Sequence, residues 1–178
     1  MKYWIMKINE YQIESKRTCP SLGGEKLDLA HMVLGIFTEF EEYVNCTDDV
    51  NRSEECSDIM WYISNYCTFR EWDLDDLWKN KNYNGNSFII NTSILQDIVK
   101  KFIAYNKKID VEKEYNILTG LISNVYDMYD GIDYEKSLEN NINKLKVRFP
   151  EKFTEENAIN RNLEEERKQL ENWLWKMK

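Results

Sequence analysis

Helix breakers are scarce in this chain: proline stands only at Pro20 and Pro150, and glycine occurs 6 times among 178 residues. Proline removes a backbone donor and glycine loses the most entropy on ordering, so long stretches without either favour uninterrupted helices. No alternating apolar and polar run reaches strand length. Apolar residues return instead at every third or fourth position, the period of a helix face. The expected fold is all-α: a helical bundle of about five core helices plus an amphipathic C-terminal helix, built as a single domain over 1–178.

The spacing predicts a helix from Leu27 to about Cys46, with Val33, Phe37, Phe40 and Val44 on one face. A second should start near Asn51 or Ser53 and bury Ile59, Met60, Ile63 and Cys67. The Asn, Asp and Gly content of EWDLDDLWKNKNYNGNS reads as a connecting loop. Helices over Ile94 to Asn106 and Val111 to Tyr129 follow. The first of these should bury Ile94, Leu95, Ile98, Val99, Phe102 and Ile103; the second, Ile117, Leu118, Leu121, Ile122, Val125 and Met128. This pair repeats the rhythm of the first two helices, so a degenerate tandem of two helix pairs is expected. The last core helix covers Asp133 to Phe149 and stops at Pro150. In the tail, Leu163, Leu170, Trp173 and Leu174 share one side.

A net charge of -8 argues against long nucleic acid as a partner, because neutralising phosphates supplies most of that affinity. No apolar run approaches the ~20 residues of a membrane span, and no leader is evident, so a cytoplasmic protein without a membrane partner is expected. Cys19, Cys46, Cys56 and Cys67 form no CxxC pair and read as reduced thiols.

Chemistry concentrates in two acidic pairs. Glu39 and Glu42 are three residues apart, as are Glu55 and Asp58, so each pair shares a helix face. Glu39 also falls in a row with Met32, Ile36 and Tyr43, and Glu55 precedes Ile59 and Ile63, which aims these acids partly inward. Carboxylates crowded near a core need a compensating charge, and all-oxygen ligation suits Mg²⁺, with Mn²⁺ as a substitute. Spacing does not choose between Glu54 and Glu55, since Glu54 lies four residues before Asp58. On the last core helix, Asn141, Lys144 and Arg148 line one face. His31 lies two turns before Glu39 and reads as packed or capped. One histidine cannot supply the paired ExxH ligands of a di-iron bundle.

The segments LGIFTEFEEYVN and NRSEECSDIMWYIS resemble the ExxE and ExxD helices of the MazG-like nucleoside triphosphate pyrophosphohydrolases, a superfamily that includes the all-α dimeric dUTPases. NINKLKVRFPEKFTEENAINR is similar to the carboxy-terminal signature of the phage and bacterial members, and YQIESKRT to their opening segment. Met60-Trp61-Tyr62 stands where those proteins usually carry Leu-Trp-Tyr. Thr38 and Glu41 depart from the small residues usual in the first motif.

The resemblance implies hydrolysis of a (deoxy)nucleoside triphosphate to the monophosphate and pyrophosphate. It assigns Glu39, Glu42, Glu55 and Asp58 to magnesium, Glu39 and Glu55 to catalysis, and Asn141, Lys144 and Arg148 to the substrate. It also implies a homo-oligomer, dimer or tetramer. The insert between Glu71 and Asp133 departs from the smallest members. If that insert is the degenerate pair, Lys101, Ile117 and Gly120 replace its acids, leaving one site per chain. The rival reading is a catalytically inactive helical module that binds nucleotide or a partner protein.

Overall fold

The computed structural model describes residues 6–171, and among them every regular element is a helix. In chain order these are α1 (Ile8–Arg17), α2 (Glu25–Val44), α3 (Asp49–Phe69), α4 (Leu74–Lys79), α5 (Phe88–Tyr105), α6 (Val111–Met128), α7 (Tyr134–Arg148), α8 (Glu155–Ile159) and α9 (Leu163–Glu171). Local chemistry sets most starts. Asp48, Asp73, Ser87, Asp110, Asp133 and Thr154 each accept a backbone N–H from the first turn of the helix they precede, satisfying a donor that has no partner inside the helix.

The short connection 45–48 folds α3 back along α2, and this hairpin is the most extensive helix contact in the fold. On α2 the buried stripe is Leu29, Met32, Val33 and Ile36. Phe37 and Val44, expected inside, are exposed because they lie too far round the helix from that stripe. On α3 the expected Ile59, Met60, Ile63 and Cys67 are fully buried. The ring of Tyr62 occupies the space that any side chain at Gly35 would fill, so α2 and α3 come close beside the acidic pairs.

A second pair, α5 and α6, packs against the first, with α5 along α2 and α6 along α3. Lys101 pairs with Asp97 at 2.5 Å, while Ile117 and Gly120 are buried, so none of these three positions offers an acid. α6 does carry one buried carboxylate. Glu114 is gripped by Arg70 at 3.0 Å through each oxygen and takes the Tyr66 hydroxyl at 2.5 Å, which satisfies it as a structural tie to α3.

Four expectations need correction. The connecting loop contains α4, whose Asp73 cap and buried Leu74, Leu77 and Trp78 outweigh the polar composition. The third predicted helix starts earlier, at Phe88 behind the Ser87 cap, and Ile103 is 37% exposed because the stripe turns away at its end. The N-terminal segment forms α1, which buries Ile8, Tyr11 and Ser15. In the tail Leu170 is buried, but Leu163 is exposed; Trp173 and Leu174 lie outside the described residues.

α7 packs on α3 and α9 on α7. Arg17 Nη1 donates to the carbonyls of Phe149, Pro150 and Glu151, where proline ends α7 and leaves acceptors free. Among the described residues no helix is long and apolar enough to cross a membrane.

Candidate functional site

The close approach of α2 and α3 brings three acids together. Carboxylate oxygens of Glu39, Glu42 and Glu55 lie within 4.8 Å of one another. Glu55 is buried, Glu39 half-buried and Glu42 exposed, so the cluster opens to solvent on the Glu42 side. The choice between Glu54 and Glu55 is settled by helix phase: Glu55 joins the cluster, and Glu54 turns toward α7.

Asp58 stands beside the cluster with its oxygens engaged elsewhere. Oδ1 accepts the Asn141 amide at 2.5 Å, and Oδ2 accepts the Lys144 ammonium at 2.6 Å. Lys144 also reaches Glu54 at 3.1 Å and is only 2% exposed. Tyr11 completes this layer by donating its hydroxyl to the Ser57 carbonyl at 2.8 Å and to Asn141 Oδ1 at 3.0 Å. Side chains and backbone of α1, α3 and α7 are thereby tied together around Asp58 and Glu54, with the buried Lys144 ammonium between the two acids.

The same geometry leaves the three glutamates short of positive charge. Burial first, then repulsion from Asp58 and Glu42, pushes the Glu39 carboxyl above its ordinary range; Lys144 and a hydrogen bond with Glu55 offset this in part. Burial, followed by Asp58, Glu54 and Glu42, pushes Glu55 up as well, with Lys144 again opposing. The causes agree with the ion pairs, because the Lys144 ammonium is spent on Asp58 and Glu54.

A cavity of about 530 Å³ adjoins the cluster, with Glu39 and Asp58 in its wall. Trp61, Tyr62, Phe149 and Phe153 supply aromatic surface, and Thr18, His31 and Arg148 supply polar edges. Trp61 is held by its indole N–H on Thr18 Oγ1 at 2.9 Å, and Tyr62 meets Trp61 and His31 edge-on. His31 Nδ1 is buried without a hydrogen-bond partner among the described residues, while burial lowers the ring's pKa against a smaller opposing effect of Asp28. A neutral imidazole follows from that balance. Compared with protein-family models, curated proteins and solved structures, the chain matches none.

Of the residues expected to meet substrate, Asn141 and Lys144 turn inward to Asp58, whereas Arg148 reaches the cavity wall. Arg148 donates Nε and Nη2 to Glu166 at 3.1 and 2.6 Å, leaving Nη1 without a hydrogen-bond partner among the described residues. Spacing gives no sign of Glu166, and Tyr11, which from the sequence could stack on a base or pack in the core, is fully buried with its hydroxyl on Ser57 and Asn141. Glu166 hides in a run of three glutamates, and only the packing of α9 on α7 decides which one is buried. Tyr11 does leave a trace, since Ile8, Tyr11 and Ser15 fall at helical spacing.

Proposed function

We propose that this protein hydrolyses a (deoxy)nucleoside triphosphate to the monophosphate and pyrophosphate, with Mg²⁺ held by Glu39, Glu42 and Glu55. One observation carries the reading: three carboxylates, none of them in an ion pair among the described residues, converge beside an aromatic-lined cavity that has Glu39 in its wall. All three are hard oxygen donors, the set that Mg²⁺ or Mn²⁺ accepts. When bound, the ion neutralises phosphate charge and polarises the bond to be broken.

The chain's own groups supply the rest. Glu39, whose carboxyl is pushed up by burial, is suited to receive a proton on a carboxylate oxygen from the water attacking the α-phosphorus. Glu55 lies beside it in the cluster and would share the ion with it. Arg148 offers Nη1 to a phosphate oxygen of the leaving pyrophosphate. Trp61, Tyr62 and Phe149 give the base apolar faces. Asp58 stays with Lys144 and Asn141 and strengthens the negative field at the cluster. The test is pyrophosphate release over a panel of canonical nucleoside triphosphates, with and without Mg²⁺. Mg²⁺-dependent release for at least one substrate supports the proposal, and no release for any sinks it.

The second reading, a module that binds nucleotide without turnover, is favoured by one observation: Asp58 and Arg148 already have carboxamide, ammonium or carboxylate partners. Nucleotide binding without pyrophosphate in that panel would select it.

The raised carboxyls give a prediction with a definite sign. A buried acid whose folded pKa exceeds its unfolded value, about 4.3 for glutamate, contributes stability that is present below that value and lost as pH rises through the folded one. The metal-free protein should therefore lose stability on passing from about pH 5 to about pH 8, and Mg²⁺ should restore it mainly at the higher pH. Thermal melts with and without Mg²⁺ at both values check this. Equal Mg²⁺ shifts at both would detach the ion from these acids.

A further inference from the structure

A second constellation lies outside the carboxylate cavity. Trp78 of α4, Tyr126 of α6 and Tyr134 of α7 form an aromatic cluster, with ring centroids 5.7 Å apart for Trp78 and Tyr126 and 5.6 Å for Tyr126 and Tyr134, both pairs edge to face, and 5.1 Å for the tilted pair Trp78 and Tyr134. The Lys81 ammonium stands over two of these faces, 4.7 Å from the Trp78 centroid and 4.9 Å from that of Tyr126. Its hydrogen bond is a 3.3 Å donation to the Trp78 carbonyl, and no carboxylate pairs with it among the described residues. Beside the same tyrosines a cavity of about 500 Å³ is also lined by Asp127 and Asp130. None of its lining residues belongs to the proposed hydrolytic site.

Aromatic faces attract a cation through the ring quadrupole, most strongly where water is displaced, and they favour large, weakly hydrated ions over metals that demand oxygen ligands. Lys81 shows that an ammonium can lie over the Trp78 and Tyr126 faces together. It belongs to the irregular segment between α4 and α5, and without a carboxylate partner it has little to hold it against a competitor. The acidic residues at the adjoining cavity raise the local concentration of any organic cation.

We propose that the Trp78 and Tyr126 faces, backed by Tyr134, are a binding site for a small organic ammonium ion of the quaternary type, with Lys81 as a built-in plug that the free cation displaces. The probe is tetramethylammonium chloride, titrated against NaCl of equal ionic strength and followed by shifts of the aromatic and indole NMR signals, with neopentyl alcohol as the uncharged analogue. Lys81→Ala should bind tetramethylammonium at least about tenfold more tightly than the unaltered chain, and adding Tyr126→Leu to that variant should abolish binding. Saturable binding of the cation but not the alcohol supports the site. Equal binding of the alcohol, or no saturation in Lys81→Ala up to roughly 50 mM, overturns it. Should Lys81→Ala fail to fold by circular dichroism, the comparison passes to the unaltered chain and Tyr126→Leu, whose ring is 42% exposed. There, loss of the tetramethylammonium shift supports the proposal and an unchanged shift overturns it.

Discussion

Glu55→Gln is expected to lower Mg²⁺-dependent pyrophosphate release by on the order of 10²–10³, while making the metal-free protein more stable at about pH 8. The two effects have one origin. Glu55 is the most buried of the three glutamates and the one against which Asp58, Glu54 and Glu42 all push. Its charge is unfavourable in the folded chain unless a cation is present, so a neutral amide of the same shape relieves the metal-free fold. The same amide has no negative charge to offer Mg²⁺ and leaves Glu39 a different hydrogen-bond partner. A residue that merely packs would give a different pair of results, because removing it would cost stability and activity together. Full pyrophosphate release by Glu55→Gln in Mg²⁺ would sink the catalytic reading, and a less stable metal-free variant would sink the electrostatic one.

The helices could be read from the sequence because their causes are local. Few breakers, apolar residues at helical spacing and Asp or Ser before a first turn act within one or two turns of chain. α4 and α1 were harder for the same reason. In α4 three apolar residues sit among acids and asparagines, and only the groove that receives Leu74, Leu77 and Trp78 makes it helical. Phe37 and Val44 show the limit within a single helix: a 4-3-4 spacing identifies a face, but which of two overlapping apolar faces turns inward depends on what packs against it.

At the site, periodicity placed Glu39 with Glu42 and put both toward α3, and the structure brings Glu55 to them. It put Asp58 in the same cluster, whereas the structure engages both of its oxygens with α7. The aspartate shares Glu55's face, but its shorter side chain meets α7, where Asn141 and Lys144 wait. That pairing joins residues more than eighty positions apart in sequence, and no spacing rule within one helix encodes such a distance. The aromatic wall of the cavity is similar. Trp61 and Tyr62 follow from α3 alone, whereas Phe149 and Phe153 reach it only because Arg17 fixes the chain beyond α7.

Lys144→Met is expected to cost about 3–5 kcal/mol at neutral pH, because it removes the buried cation from between Glu54 and Asp58. The ammonium is 2% exposed and sits 2.6 Å from one carboxylate and 3.1 Å from the other. Burial by itself would lower its pKa, but Asp58 and then Glu54 outweigh that effect and hold it charged. Methionine keeps most of the aliphatic stem, so the loss measures charge more than volume. Lys168→Met is the fitting control: that lysine is 58% exposed, reaches Glu164 at 3.1 Å, and its loss should leave stability nearly unchanged. Urea unfolding of both variants gives the comparison. Adding Asp58→Asn to Lys144→Met should recover part of the deficit, since the stranded charge is then gone, and a double-mutant cycle isolates that coupling. A lysine whose main task is to grip phosphate behaves otherwise: its methionine variant would keep its stability and lose substrate affinity. A deficit no larger than that of Lys168→Met would thus return Lys144 to the substrate and release Asp58 to the cation.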